Sequence, residues 1–162
     1  MKDPALVEGT QPLVVANPCD DDRDERPLPE LVRGHVRFWN RSEYIPAGTG
    51  RYEVYLVPTL VSLAAALASL LGGTRGPIAV ATVGAAFSLS LSRQSSRKPH
   101  IVEVIVENEV VQTEGIDDLA RDCLFSARAL LHASGDVYSG ATLWGELAAT
   151  LNRLESSLIQ LE

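Results

Sequence analysis

Residues 54–92 read VYLVPTLVSLAAALASLLGGTRGPIAVATVGAAFSLSLS, and Arg75 is their only charge. Val54–Leu71 is about eighteen residues long, the lower end of what spans a bilayer core. Its second half is dominated by Leu and Ala, which favour helix, and Pro58 falls in the first turn, where proline is tolerated. Gly72-Gly73-Thr74-Arg75-Gly76 is a tight polar break, and Pro77 is well placed to open a second helix. Ile78–Ser92 is again free of charge and predicts a marginal span of roughly 22 Å at helical rise. The expected unit is an antiparallel helical hairpin, whose internally satisfied backbone suits lipid. Leu60, Leu63, Leu67, Leu70, Ile78, Val83, Phe87 and Leu91 carry its apolar surface.

Charges outside the hairpin agree with a membrane reading. Arg41 and Arg51 precede it, and Arg93, Arg97 and Lys98 follow. The positive-inside rule then places both termini in the cytoplasm and the chain in the inner (cytoplasmic) membrane. Small residues allow close helix packing: Ser62, Ala65, Ala66 and Ser69 on the first segment, and Ala81, Gly84, Ala85 and Ser88 on the second. The competing reading is a cytoplasmic, soluble protein with both segments in its own core, which requires the rest of the chain to cover nearly all of this apolar surface. A pore is a third reading. It is weakened because Ser88, Ser90 and Ser92 recur every second residue and so do not line one helical face.

Working outward, residues 1–30 form a Pro- and Asp-rich leader read as extended or flexible. Pro4, Pro12, Pro18, Pro27 and Pro29 exclude helix there, and only Leu13–Ala16 suggests a strand. Met-Lys-Asp-Pro at the start lacks the apolar stretch of a secretory signal. Residues 31–53 carry a short strand at Val36–Phe38 and a loop at Ile45–Gly50. His100–Thr113 gives the strongest strand signal. Val102, Val104 and Val106 alternate with Glu103 and Glu107, and Asn108 marks a hairpin turn. A helix follows Gly115, with Asp117 or Asp118 as its cap; Leu119, Cys123, Ala127 and Leu130 form its apolar face, and Ser134-Gly135-Asp136 ends it. The last helix runs from about Gly140. Trp144, Leu147, Leu151, Leu154, Leu158 and Leu161 make a heptad seam that serves either association or packing on the sheet.

No constellation for catalysis is present. His35, His100 and His132 stand in unrelated contexts, and no GxSxG occurs. Asp117, Asp118 and Asp122 share a helical turn, where capping explains them better than a metal does. The glycine runs Gly48–Gly50 and Gly72–Gly76 lack the strand–loop–helix context and the lysine of a phosphate loop. Cys19 and Cys123 form no zinc or redox motif, and a reduced setting suits them. A net charge of −7, with an acidic run of Asp20, Asp21, Asp22, Asp24 and Glu25, excludes a nucleic-acid partner. No cofactor and no small-molecule substrate are expected. Arginine supplies twelve of the fourteen basic residues, a bias that suggests a GC-rich bacterial source.

The stretch LVRGHVRFWNRSEYIPAGTGRYEVYLVPTLVSLAAALASLL, residues 31–71, resembles the small effector-associated constant component family of bacteria. Arg33-Gly34-His35-Val36, the loop from Pro46 to Gly50, the helix Leu60–Leu71, the basic linker Arg93–Lys98 and the valines Val102–Val106 fall in the family's order. The resemblance covers residues 31–131. It implies a non-catalytic partner of a peptidase-type effector in a bacterial conflict or signalling system, and no catalytic residue carries over. The second apolar segment and the C-terminal leucine helix depart from the family pattern.

The expected fold is therefore α+β: a two-helix hydrophobic hairpin, predicted transmembrane, over 54–92, and a β-hairpin-containing sheet with two C-terminal amphipathic helices over 93–162. The expected function is a non-enzymatic, membrane-tethered adaptor that self-associates or recruits a protein partner.

Overall fold

A computed structural model describes residues 11–18, 32–46, 50–95, 98–138 and 142–161. The acidic run, Cys19, Gly48, Thr49 and Arg97 lie outside them. The fold is α+β, with three α-helices and two four-stranded antiparallel sheets among the described residues.

The first apolar segment does form a helix, α1 (Leu56–Leu71). Its Leu and Ala residues lose little rotamer freedom in a helix, and Pro58 sits in the first turn, where a missing N–H is harmless. The helix stops at a glycine-built end. Gly73 takes φ +108, Thr74 N–H bonds to Ser69 O at 3.0 Å, and Gly73 N–H bonds to Leu70 O at 3.1 Å. This is the paired 6→1 and 5→2 pattern that satisfies the last carbonyls. The Arg93 side chain also donates to the carbonyls of Leu70 and Thr74, placing a cation on the negative end of the helix.

The second apolar segment is not a helix. It forms β5 (Ile78–Val80), a loop, and the start of β6 (Leu89–Ser95). The reason lies in its period. Leu89, Ser90, Leu91 and Ser92 alternate, so both leucines turn into the core and both serines to the other face. The loop closes over the start of α1. Ala81 N–H bonds to Ser62 Oγ at 2.8 Å and Val83 N–H to Thr59 Oγ1 at 3.2 Å. Gly84 has φ +90, and a Cβ there would come within 2.9 Å of the Tyr55 ring. Small residues expected to pack two membrane helices instead pack a loop on one helix.

These facts correct the membrane reading. Among the described residues no helix is long and apolar enough to cross a membrane. With 16 residues, α1 extends about 24 Å against a hydrocarbon core of about 30 Å. Leu60, Leu63, Leu67 and Leu70 are buried in protein, as are Phe87 and Leu91; Ile78 is half-buried and Val83 is exposed in the loop. The two-helix hairpin, the inner-membrane location and the pore thus lose their spans. Arginines read as topology signals have local partners: Arg41 pairs with Glu114 at 2.7 Å and Arg51 with Glu107 at 2.5 Å.

The first sheet has β2 (Arg33–Trp39) at its centre. β1 (Val14–Pro18) runs antiparallel along one edge, while β3 (Tyr44–Ile45) and β4 (Val54–Tyr55) share the other. The second sheet is a meander of β5, β6, β7 (Lys98–Val106) and β8 (Glu109–Gly115). Glu107 and Asn108 take positive φ in the two-residue turn between β7 and β8, as a hairpin of this kind requires. Then come α2 (Ile116–Tyr138), which passes through Gly135, and α3 (Thr142–Leu161).

The core forms where α1 is enclosed by α2, α3, β2 and β5. The edge of β1 is covered by α2: Leu13 N–H bonds to Asp122 at 2.7 Å, and Ser126 Oγ–H to Val14 O at 2.7 Å. Gln112 ties the sheets together. It is 4 % exposed, and its amide nitrogen donates to the carbonyls of Leu13 and Trp39, both at 2.8 Å.

Candidate functional site

The residues that could carry chemistry are dispersed. His35 lies half-buried on β2, His100 is exposed on β7, and His132 is exposed on α2. Asp117 and Asp118, in the first turn of α2, face Arg121 at 3.5 and 3.6 Å, and Asp122 holds the Leu13 N–H. Among the described residues no group of His, Cys, Asp and Glu could hold a metal ion. Cys123 is buried, and burial pushes its thiol up to about 12, with the nearby Asp122 charge acting in the same direction. A thiol so placed is protonated and shielded, the opposite of an activated nucleophile.

The predicted seam on α3 faces inward. Trp144, Leu147, Leu151, Leu154 and Leu158 are all buried, and α3 packs on α1 and α2. The side chain of Leu161 lies outside the described residues. The leucine spacing therefore builds the monomer's core, and those side chains would have to leave it to meet another molecule.

Among the described residues the exposed large apolar side chains lie elsewhere: Val83 in the β5–β6 loop, Val110 on β8, and two on the helices. Phe125 on α2 is 73 % exposed and Ile159 on α3 is 63 % exposed. The helices run antiparallel and are clamped by Arg128, whose two terminal nitrogens bond to Glu155 at 2.9 and 3.0 Å. Phe125 lies three residues before Arg128, and Ile159 four residues after Glu155. Each is one turn along from the clamp in the same direction, so the two belong to one outward face. Around Phe125 a shallow cleft of about 510 Å3 is lined by α2 alone, through Arg121, Leu124, Phe125, Arg128, Ala129 and His132. The Arg128 bond holds the Glu155 carboxyl below its ordinary range.

Sequence reading missed this pair. Its apolar stripe on α2 passes through Cys123 and Ala127, and Phe125 stands off it; Ile159 stands beside Leu158, off the seam. The available signal was a large apolar residue on the polar side of each amphipathic helix.

No family model, no curated protein and no solved structure matches this chain.

Proposed function

We propose that this chain is a non-enzymatic protein-binding module that keeps both apolar segments in its own interior. It receives its partner on the outward face of α2 and α3. The observation that carries this reading is the exposure of Phe125 and Ile159, each about one helical turn in sequence from the Arg128–Glu155 pair that joins the two helices. Exposed apolar patches rimmed by polar residues mark interaction surfaces, and aromatic anchors dominate such interfaces. Arg121, Arg128 and His132 around the cleft form a polar rim. An effector of a bacterial conflict or signalling system, the partner class implied by the family resemblance, is the first candidate occupant.

Site-specific photo-crosslinking in cells tests the proposal. A crosslinking side chain at position 125 or 159 is expected to give one discrete adduct, and the exposed Ser69 of α1 none. Ile159→Glu is expected to abolish the adduct from position 125 without changing the circular dichroism spectrum. Equal labelling from Ser69, or no adduct from either helix, overturns it.

A further inference from the structure

The second sheet ends in an open strand. Strand β8 pairs with β7 on one side, and among the described residues no strand lies on the other. Main-chain groups along β7 face its two neighbours alternately. Glu107 N–H bonds to Ser88 O on the β6 side, so Ile105 and Glu103 face β6 as well. Their partners on β8, Val110 and Thr113, therefore turn their own N–H and C=O away from β7. Both residues are exposed, Val110 at 52 %. Between them the register slips. Val104 pairs with Gln112 and Ile105 with Val110, which leaves Val111 as the extra residue of a bulge.

Beside this edge lies a groove of about 280 Å3, with residues 110–114 of β8 as one wall and residues 39–41 as the other. The Gln112 amide, bonded to Trp39 O at 2.8 Å, joins the two walls. The occupant that suits such an edge is extended main chain, because a strand offers donors and acceptors at the matching spacing. Charge narrows the choice. Glu103, Glu107, Glu109 and Glu114 lie along β7 and β8. Among the described residues the pairs Arg51–Glu107 and Arg41–Glu114 leave Glu103 and Glu109 without an ion pair. A second copy is a poor occupant. Two-fold pairing centred on the strand sets Glu109 of each copy beside Glu114 of the other, and like charges directly opposite repel.

We propose that β8 takes up a basic extended segment of a protein partner as a fifth strand of the second sheet, through the outward main chain of Val110 and Thr113. The site uses no residue of α2 or α3, and it stands whether or not their outward face binds anything.

The test uses the full chain and a fluorescein-labelled peptide, Lys-Thr-Val-Thr-Val-Thr-Lys, read by fluorescence anisotropy. Saturable binding is expected. An analogue N-methylated at its three central residues, which closes both of its edges while keeping charge and side chains, is expected to bind roughly ten-fold more weakly or worse, the scale of two lost hydrogen bonds. Val110→Pro removes an N–H that serves no bond to β7, at an edge where proline is tolerated. It is expected to weaken binding roughly two- to ten-fold with the melting temperature close to the parent's. Glu109→Lys, a change at an exposed position, is expected to weaken the basic peptide and strengthen its Glu-flanked counterpart. Absence of saturable binding by the parent chain overturns the proposal. So does an N-methylated analogue that binds as tightly as the plain peptide, whatever the folding of the Val110→Pro variant, or a Glu109→Lys variant indifferent to peptide charge. A parent chain that dimerises over the same concentrations, and becomes monomeric on Val110→Pro, would give the edge to a second copy and likewise overturn the assignment.

Discussion

Replacing Leu91 with Ala separates a protein-enclosed segment from a lipid-facing one. Leu91 is fully buried at the centre of β6, where it opposes Ile78 on β5 and Val104 on β7. Truncating a leucine so placed loses the transfer energy of the removed carbons and leaves a cavity, together about 2–5 kcal/mol. In a domain whose total stability is about 5–15 kcal/mol, that is a large fraction. Taking about 3 kcal/mol, and about 2–4 °C per kcal/mol for a chain of this size, the melting temperature should fall by roughly 6–12 °C. The control is the next residue. Ser90 sits half-exposed on the other face of the same strand, so Ser90→Ala should change stability by about 0.5 kcal/mol or less. Thermal unfolding by circular dichroism in detergent-free buffer measures both. A loss below about 2 °C for Leu91→Ala, equal losses at the two positions, or no cooperative transition without detergent would refute the enclosed-strand account.

Polar contacts at Gln112 and Glu155 give three further outcomes. Gln112→Leu removes both bonds that tie the second sheet to the carbonyls of Leu13 and Trp39, and also the buried Oε1 that has no partner; urea unfolding should show a net loss of about 1–3 kcal/mol. Gln112→Glu should lose more at neutral pH, because a carboxylate would face two carbonyl oxygens, and should recover as it protonates; no recovery on acidification would count against this geometry. Glu155 has a lowered folded pKa, first through its hydrogen bond from Arg128 and then through that charge. Its contribution is therefore present above the unfolded glutamate value of about 4.3 and lost as pH falls through the folded value. Glu155→Gln should flatten that acid limb of a melting-temperature profile, and the difference between the two proteins should shrink in high salt.

Much of the secondary structure is legible where one period dominates. The Val102, Val104, Val106 alternation marks β7, and the three-and-four spacings of Leu119 to Leu130 and Trp144 to Leu158 mark α2 and α3. The misreading came where two signals competed. Ile78–Ser92 is short, apolar and charge-free, which suits a helix, but its Ser88, Ser90 and Ser92 repeat is the period of a strand. The repeat that argues against a pore argues equally against any helix. Phe125 is invisible for a different reason. Amphipathic patterns predict which residues enter the core, and a large apolar residue left outside it appears only as an exception to the pattern.

The environment of α1 was beyond what local pattern can decide. A helix apolar on nearly every side is either a membrane span or the centre of a protein, and composition is the same in both. What distinguishes them here is supplied by distant segments: α2 and α3 on some sides, β2 and the β5–β6 loop on others. The flanking arginines are equally ambiguous, because a cation near a helix end serves a membrane surface or the carbonyls of that end. Arg93 does the second: it bonds to Leu70 and Thr74 across the turn that closes α1. The residue expected to face a bilayer surface is therefore part of what closes the segment into the protein. Only the pairing of β6 with β5 and β7, a contact set by residues far apart in the chain, brings Arg93 to that position.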